Sequence, residues 1–254
     1  MTAPIDSWRL SENVASLACG SLRASLQVDE PAAGLHLVHF DGVNQSAVRV
    51  LQWLPLHGGQ SSALRFHESY VRGSDLVATY LADSREQVQP QVYWRALENA
   101  GWSSAGVELI VSVQTSLLDS QPESSVISEL APGEVWHLLE PATGAFSYIA
   151  LDEQPIELTR EDAGAGVVVI RPSDEQYSYA EMIHPTDFHS LVLQLQLTAT
   201  PRLTITSRLF PERLEKGVIR RSRICGWFLP RDYDLQLAAE LYHRFVNEPP
   251  PLTT

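Results

Sequence analysis

Cysteine is scarce in this sequence, and its two copies lie far apart. The 254 residues contain only Cys19 and Cys225, which form no CxxC pair and no Cys/His spacing of the kind that holds zinc. This scarcity argues against a disulfide framework and a zinc site, and no metal is predicted. The expected arrangement is two buried free thiols in a reducing compartment.

Positive charge and long apolar runs are also lacking. Lysine and arginine number 18 against 31 acidic residues, a formal net charge of -13. Such a chain repels phosphate groups, so neither nucleic acid nor an anionic membrane is expected as a partner. No stretch approaches the roughly 18 consecutive apolar residues that span a bilayer, and residues 1–20 lack the pattern of a signal peptide. These absences predict a cytoplasmic protein.

Several common catalytic motifs are missing. The sequence has no P-loop, no GxGxxG segment after a strand, no GxSxG elbow and no HExxH pair. Nucleotide-dependent and common protease mechanisms are therefore disfavoured. No cofactor is predicted.

What the sequence does contain is a series of short alternating or β-branched segments separated by Gly, Pro, Asp and Ser, a pattern typical of an all-β chain. In residues 107–115, valines and leucines alternate with polar residues such as Glu108, apart from Ile110, so we expect one buried face and one face toward water. Residues 1–254 are predicted to form a single domain, a large two-sheet antiparallel β-sandwich.

One segment near the C-terminal end has helical spacing. Its apolar stripe consists of Leu235, Ala238, Leu241, Tyr242 and Phe245. We predict an α-helix over residues 234–247, capped by Asp232 or Asp234. Three prolines follow, so residues 249–254 are predicted to form an extended tail along the surface or toward a neighbour.

The densest group of polar side chains lies between two strongly predicted strands. Residues 181–189 include His184 and Asp187, at a junction where a loop can present side chains to a ligand. A histidine with nearby carboxylates can act as acid and base near neutral pH, so His184 is a candidate catalytic residue and Asp187 a candidate substrate ligand. The alternative is a hydrogen-bonded loop without a ligand.

Arg72 and Asp75 flank a Gly-Ser turn. A charged donor and acceptor on rigid strands can hold the vicinal hydroxyls of a sugar, and the ring of Trp94 can stack on a pyranose face. The alternatives are a locally paired hairpin for Arg72 and Asp75, and a core position for Trp94.

Charge is also dense just before the last predicted strand, in residues 211–223. Glu215 is the candidate general base, and Arg220, with its neighbouring arginines, is a candidate ligand for a carboxylate such as that of a uronate. The alternative for both residues is a structural network of ion pairs.

Three of these segments carry a family resemblance. Residues 22–40 hold two predicted strands around Pro31 and Gly34, His184-Pro185 is followed by the aromatic residue Phe188 three positions later, and residues 214–219 form a late strand segment. Together they resemble the galactose mutarotase-like superfamily of carbohydrate-active proteins. The resemblance implies a β-supersandwich that interconverts sugar anomers with a histidine as general acid and a glutamate as general base. His184 matches the histidine element, and Glu215 is assigned as the base from its chemistry and position.

Two hypotheses of function follow. The first is a carbohydrate-binding supersandwich, either aldose epimerase-like or otherwise active on sugars, whose site residues converge on one face. Those residues are Arg72, Asp75, Trp94, His184, Asp187 and Glu215. The alternative is a noncatalytic structural or interaction module, most simply a homodimer, that uses its sheet surface and its C-terminal tail.

Overall fold

The computed structural model describes residues 7–45, 47–57, 60–61, 64–82, 88–161 and 164–249. Within these residues the chain forms one α-helix, α1 (Asp234–Asn247), and 22 strands whose sheet pairings are antiparallel. The strands in chain order are β1 (Trp8–Ser11), β2 (Val14–Cys19), β3 (Leu22–Gln27), β4 (His36–Phe40), β5 (Val43–Gln45), β6 (Arg49–His57), β7 (Gln60–Ser61), β8 (Leu64–Arg72), β9 (Asp75–Ala82), β10 (Gln89–Asn99), β11 (Ser104–Gln114), β12 (Asp119–Ser120), β13 (Ser124–Leu130), β14 (Gly133–Glu140), β15 (Ala145–Ile149), β16 (Ile156–Thr159), β17 (Val167–Pro172), β18 (Tyr177–Ile183), β19 (Ser190–Gln196), β20 (Arg202–Leu209), β21 (Leu214–Glu215) and β22 (Ile219–Pro230).

The strands are arranged in two large sheets and two smaller ones. The nine-stranded sheet has the order β15-β14-β17-β18-β22-β11-β10-β9-β8, and the six-stranded sheet has the order β16-β19-β20-β13-β6-β7. Strands β1 to β5 form a five-stranded meander in sequence order, and β12 pairs with β21. The predicted all-β architecture with large antiparallel sheets is confirmed.

The main core lies between the nine-stranded and six-stranded sheets. Trp53 on β6 packs against Tyr80 on β9 with ring centroids 5.6 Å apart, so the two sheets face each other there. Leu17 and Leu26 of the five-stranded sheet are buried in the same cluster. The alternation that predicted strands from the sequence gives each of these sheets an apolar face for this core.

Helix α1 packs on the opposite face of the nine-stranded sheet, which we call the helix face. Its apolar stripe forms a second cluster with side chains of β17, β18 and β22. The N-cap residue is Tyr233, with a left-handed φ of 62° and no side-chain cap, so the expected capping by Asp232 or Asp234 is wrong. Asp234 is the first helical residue, and its carboxylate accepts hydrogen bonds from the backbone N–H of Leu235 at 2.7 Å and from Arg171 on β17 at 2.9 and 2.7 Å.

Both cysteines are buried and free, as predicted. Burial raises the pKa of the Cys19 thiol to about 11, which keeps it protonated near neutral pH. The described part of the chain contains no helix with the length and apolar character needed to cross a membrane. The predicted tail at residues 249–254 lies outside the described residues except for Pro249.

Candidate functional site

A row of charged side chains crosses the helix face. Asp75 on β9, Arg95 on β10 and Glu108 on β11 are direct cross-strand partners, so the antiparallel register places their side chains next to one another. Arg223 on β22 continues the row beyond Glu108. We call these four residues the charged row.

Short hydrogen bonds hold the charged row together. Arg95 donates to both carboxylate oxygens of Asp75, at 2.7 and 2.9 Å, and lies 3.8 Å from Glu108. Arg223 donates from Nε to Glu108 at 2.6 Å. The two hydrogen bonds between Arg95 and Asp75 hold the guanidinium and carboxylate planes in a fixed relative orientation.

Arg95 is the most exposed side chain of the charged row. The side chains of Glu108 and Arg223 are 2% and 5% exposed, whereas that of Arg95 is 26% exposed. Burial raises the pKa of Glu108, and the guanidinium groups of Arg223 and Arg95 oppose that rise. Hydrogen bonding to Asp75 raises the pKa of Arg95 above its usual value. Arg95 is therefore a fixed cation that a ligand can reach.

The loop after β18 joins the row through Asp187. Its Oδ2 accepts a 2.9 Å hydrogen bond from the backbone N–H of Arg223, and its Oδ1 accepts one of 3.0 Å from the hydroxyl of Thr186. The same hydroxyl lies 2.8 Å from Nδ1 of His184. Burial raises the pKa of Asp187. The predicted neighbours His184 and Asp187 thus belong to one hydrogen-bonded group that extends to the charged row.

The ring of His184 also contacts the end of α1. It makes a hydrogen bond to the backbone of Val246, and its ring meets that of Phe245 edge-on at 5.5 Å. Burial lowers the pKa of His184, which favours the neutral ring near pH 7. These contacts fasten the end of β18 to the last turn of the helix, so the described geometry favours a structural role.

A cleft of about 340 Å³ separates part of α1 from the charged row. Arg95 and Glu108 line it on the sheet side, and Arg244 and Glu248 line it on the helix side. Trp227 contributes an aromatic surface, and the guanidinium of Arg244 lies 5.7 Å from the centre of its ring. Charges of both signs therefore meet an aromatic ring in one cleft.

Further along the helix face, Tyr93 lies among polar neighbours. Its hydroxyl donates a 2.5 Å hydrogen bond to Gln91. Burial raises the pKa of Tyr93; nearby Tyr70 adds to the rise, and the positive charges of Arg72 and Arg221 oppose it. Tyr70 is 40% exposed. This part of the face offers an accessible aromatic ring beside two arginines.

Solved structures share this architecture, although no protein-family model and no curated protein matches the sequence. A galactose mutarotase-like protein from Lactobacillus casei ATCC 334 aligns with 85% of this chain and 99% of its own, with a TM-score of 0.56 and 9% identity. The chain has the galactose mutarotase-like fold. The predicted resemblance is thereby confirmed at the level of the fold.

Two further similar structures differ in how much of their length is matched. A candidate aldose 1-epimerase from Klebsiella pneumoniae subsp. pneumoniae MGH 78578 aligns with 92% of this chain and 84% of its own, at 7% identity and a TM-score of 0.52. The GH36 alpha-galactosidase AgaB from Geobacillus stearothermophilus aligns with 88% of this chain but 41% of its own, at 10% identity and a TM-score of 0.54. The chain thus spans less than half of the galactosidase.

Four of the predicted site residues lie along the charged row or beside it. Asp75 is part of the row, and Arg72 is its direct partner across the β8–β9 hairpin. His184 and Asp187 reach the row through Arg223, as described above. Participation of these four in ligand binding stays a prediction.

Trp94 is not available for stacking on a sugar. Its side chain is completely buried in the main core, because alternation along β10 turns it away from Tyr93 and Arg95. The alternative stated for Trp94, a position in the core, is the one observed. The expectation that all six residues share one face is therefore wrong.

Glu215 and Arg220 are also separate from the charged row. Glu215 is exposed on the short β12–β21 sheet, opposite Asp119, and Arg220 forms an ion pair with Glu212. Glu215 lies before the first residue of β22, Ile219. His184 is hydrogen-bonded to Arg223, which is four residues, or about 13 Å, beyond Ile219 along the strand. The geometry thus gives no support to His184 and Glu215 as an acid–base pair.

Two residues of the charged row, Arg95 and Glu108, were not predicted as site residues, and Arg223 was predicted only as part of the arginine run that begins at Arg220. The polar face of β11 was expected to meet water, yet Glu108 is buried against Arg223 near the end of α1. Because alternate residues of a strand share a face, the sequence alone could have placed Arg95 on the same face as Tyr93. The partnership with Glu108 depends on cross-strand register, which the sequence pattern does not specify.

Proposed function

We propose that the helix face of the nine-stranded sheet binds a carbohydrate. The observation that carries this proposal is the bidentate Arg95–Asp75 pair, which is held on two adjacent strands with Arg95 accessible from the cleft. Charged donors and acceptors in fixed orientations suit the adjacent hydroxyl groups of a sugar. The fold shared with carbohydrate-related proteins supports the same assignment.

The ligand we propose is a neutral saccharide. Arg95 and Arg223 are already paired with Asp75 and Glu108, so the row carries little unbalanced charge to attract a uronate. Tyr70 supplies an exposed ring on the side of the face that holds Tyr93, and such a ring suits the apolar surface of a pyranose. The expected interactions are therefore hydrogen bonds to hydroxyls together with aromatic stacking.

We propose binding without epimerisation. A general acid must direct a nitrogen toward its substrate, whereas the ring of His184 contacts Thr186 and the backbone of Val246. Glu215, the predicted base, lies on a different sheet. A polarimetric assay of anomer interconversion, run with any sugar that binds, should give the uncatalysed rate.

A thermal-shift screen against neutral and acidic mono- and oligosaccharides tests this proposal. A ligand that binds only the folded state at 100 times its Kd stabilises it by about 2.7 kcal/mol. Asp75→Asn and Arg72→Ala change the proposed face, and Arg220→Ala is the matched control because Arg220 pairs with Glu212 elsewhere.

A neutral saccharide should stabilise the wild type and Arg220→Ala equally, and calorimetric titration should give at least tenfold weaker binding to Asp75→Asn. Absence of any shift with neutral sugars, or equal shifts in all four proteins, would contradict the proposal.

A second candidate function is self-association. Val14, Leu37 and Val43 are exposed apolar residues on the five-stranded sheet, at 42%, 62% and 56%, and a protein partner could bury such side chains. We infer a homodimer as the simplest such assembly. Light scattering should give twice the chain mass for the wild type and the chain mass for Leu37→Lys; a monomeric wild type at high concentration rejects this candidate.

A further inference from the structure

A second cleft lies at one end of the sandwich, away from the charged row. We call it the end cleft; its volume is about 330 Å³. Several chain turns meet there, and its lining includes Phe40, Asp41, Gln45, Ser103, Glu175 and Tyr177. The proposed carbohydrate site does not include these residues.

The walls of the end cleft are fixed by hydrogen bonds between distant segments. Gln45 on β5 donates to Glu175 in the β17–β18 turn at 3.2 Å. The hydroxyl of Ser21 donates to the carbonyl of Ser103 at 3.1 Å, across 82 residues of sequence. Gln45 is only 4% exposed. The cleft is therefore built by tertiary contacts and is preformed.

One buried polar group at this cleft has no partner. Tyr177 is 3% exposed, and its hydroxyl makes no hydrogen bond within the described structure. Its ring packs with those of Phe40 and Phe228, at centroid distances of 6.2 and 5.7 Å. Because buried hydroxyls are normally hydrogen-bonded, an unpartnered one on a cleft-lining residue points to a ligand that supplies the missing partner.

The charged residues that line the end cleft are all acidic. Asp41, Asp174 and Glu175 line it, and no lysine or arginine does so among the described residues. The carboxylate of Glu175 contributes, after burial, to raising the pKa of Tyr177. A site of this charge favours a cationic group over an anion.

Two residues close in sequence to cleft-lining residues carry exposed aromatic rings. Trp102 precedes Ser103, and Tyr233 follows the lining residue Pro230 by three positions. Their ring centroids are 6.3 Å apart, and the side chains are 44% and 69% exposed. Such rings provide an apolar surface for a sugar ring and for the face-on approach of a cation.

We propose that the end cleft binds an amino sugar. Its ammonium group would pair with the carboxylates of Glu175 and Asp174, and its hydroxyls would hydrogen bond to Gln45 and to the free hydroxyl of Tyr177. Trp102 and Tyr233 would cover one face of the ring. The site is separate from the charged row and does not depend on the carbohydrate site proposed there.

Calorimetric titration with D-glucosamine, with glucose and N-acetylglucosamine as neutral analogues, tests the proposal. Glucosamine should bind, and both analogues should bind at least fivefold more weakly because they lack the charged amine. Tyr177→Phe removes one oxygen and Glu175→Gln removes one charge, and each should weaken glucosamine binding at least fivefold. Asp75→Asn, at the charged row, should leave glucosamine binding unchanged.

Unfolding temperatures separate a ligand contact from a structural effect. Tyr177→Phe should unfold at the same or a higher temperature without ligand, because it loses an unpartnered hydroxyl, while binding more weakly. No heat with glucosamine at millimolar concentration, equal binding of the neutral analogues, or full binding by Tyr177→Phe and Glu175→Gln would overturn the proposal. Loss of binding in Asp75→Asn alone would reassign the amino sugar to the charged row.

Discussion

The hydroxyl of Ser128 donates a 2.5 Å hydrogen bond to the carboxyl group of Glu181 across the interface between the six-stranded and nine-stranded sheets. The hydroxyls of Tyr179 and Ser207 also bond to this group, at 3.1 and 3.2 Å. Glu181 is 2% exposed. A carboxyl group thus sits in the main core among three hydroxyls.

This environment makes stability depend on pH. Burial raises the pKa of Glu181 from 4.5 to about 7, and hydrogen bonds from Ser128 and its neighbours only partly oppose the rise. The neutral acid is therefore the favoured folded form. Its contribution to stability is fully present below about pH 4.5 and is lost as the pH rises through about 7.

Glu181→Gln should remove that dependence, since the amide does not ionise. Relative to the wild type, the variant should gain about 3 kcal/mol in unfolding free energy between pH 4.5 and pH 8. Urea unfolding at several pH values measures the difference. Glu157→Gln, at an exposed position, is the control and should parallel the wild type. Parallel curves for Glu181→Gln would show that Glu181 is not neutral in the folded state.

The buried pair of Glu108 and Arg223 should be sensitive to loss of one partner. Glu108→Ala leaves the guanidinium of Arg223 buried without its main counter-charge, and we expect a loss of about 3–5 kcal/mol. Glu212→Ala removes the exposed partner of Arg220 and should cost less than about 1 kcal/mol. Chemical denaturation compares the two variants, and equal costs would contradict the role given to burial.

Close approach of two strands makes Gly106 intolerant of a side chain. A Cβ there would lie 2.3 Å from the carbonyl oxygen of Gly226, so Gly106→Ala should cost at least about 1–3 kcal/mol through forced separation of β11 and β22. Gly101 has no atom within 4 Å of the corresponding position. Gly101→Ala should change the unfolding temperature little, and a similar drop for both variants would refute the argument.

If residues 1–254 form a single domain, as predicted, the protein should unfold in one transition. The main core contains side chains from the five-stranded, six-stranded and nine-stranded sheets, so separate melting of one sheet would expose part of a shared core. Scanning calorimetry should give one peak whose calorimetric and van't Hoff enthalpies agree. Two resolved peaks would divide the chain into independent units.

The sequence predicted the fold better than the site because different physical information specifies each. Alternating apolar residues and a helical stripe are local patterns, and they were enough for the antiparallel sheets and α1. Asp75 in the charged row and Asp187 beside it were predicted as site residues because polar side chains in turns can bind ligands. Glu108 was missed because cross-strand register and the position of α1 decide its burial.

Whereas Glu108 was missed, Trp94 was wrongly included among the site residues. An aromatic residue between Tyr93 and Arg95 looked like a sugar platform, although alternation along β10 already assigned it to the other face. The core position of Trp94, among residues such as Leu76 and Leu109, follows from that alternation. Chemistry inferred from neighbours in sequence must therefore be checked against the side of the strand on which each residue lies.

Hydrogen exchange with and without the best neutral saccharide is the most direct test of binding at the helix face. Peptides that contain residues 70–75 and 91–95 should exchange more slowly in the complex, while the β12–β21 region that holds Glu215 should be unchanged. The same experiment on Asp75→Asn should lose this protection. Protection confined to other segments, or none at a saturating concentration, would contradict a carbohydrate site on the charged row.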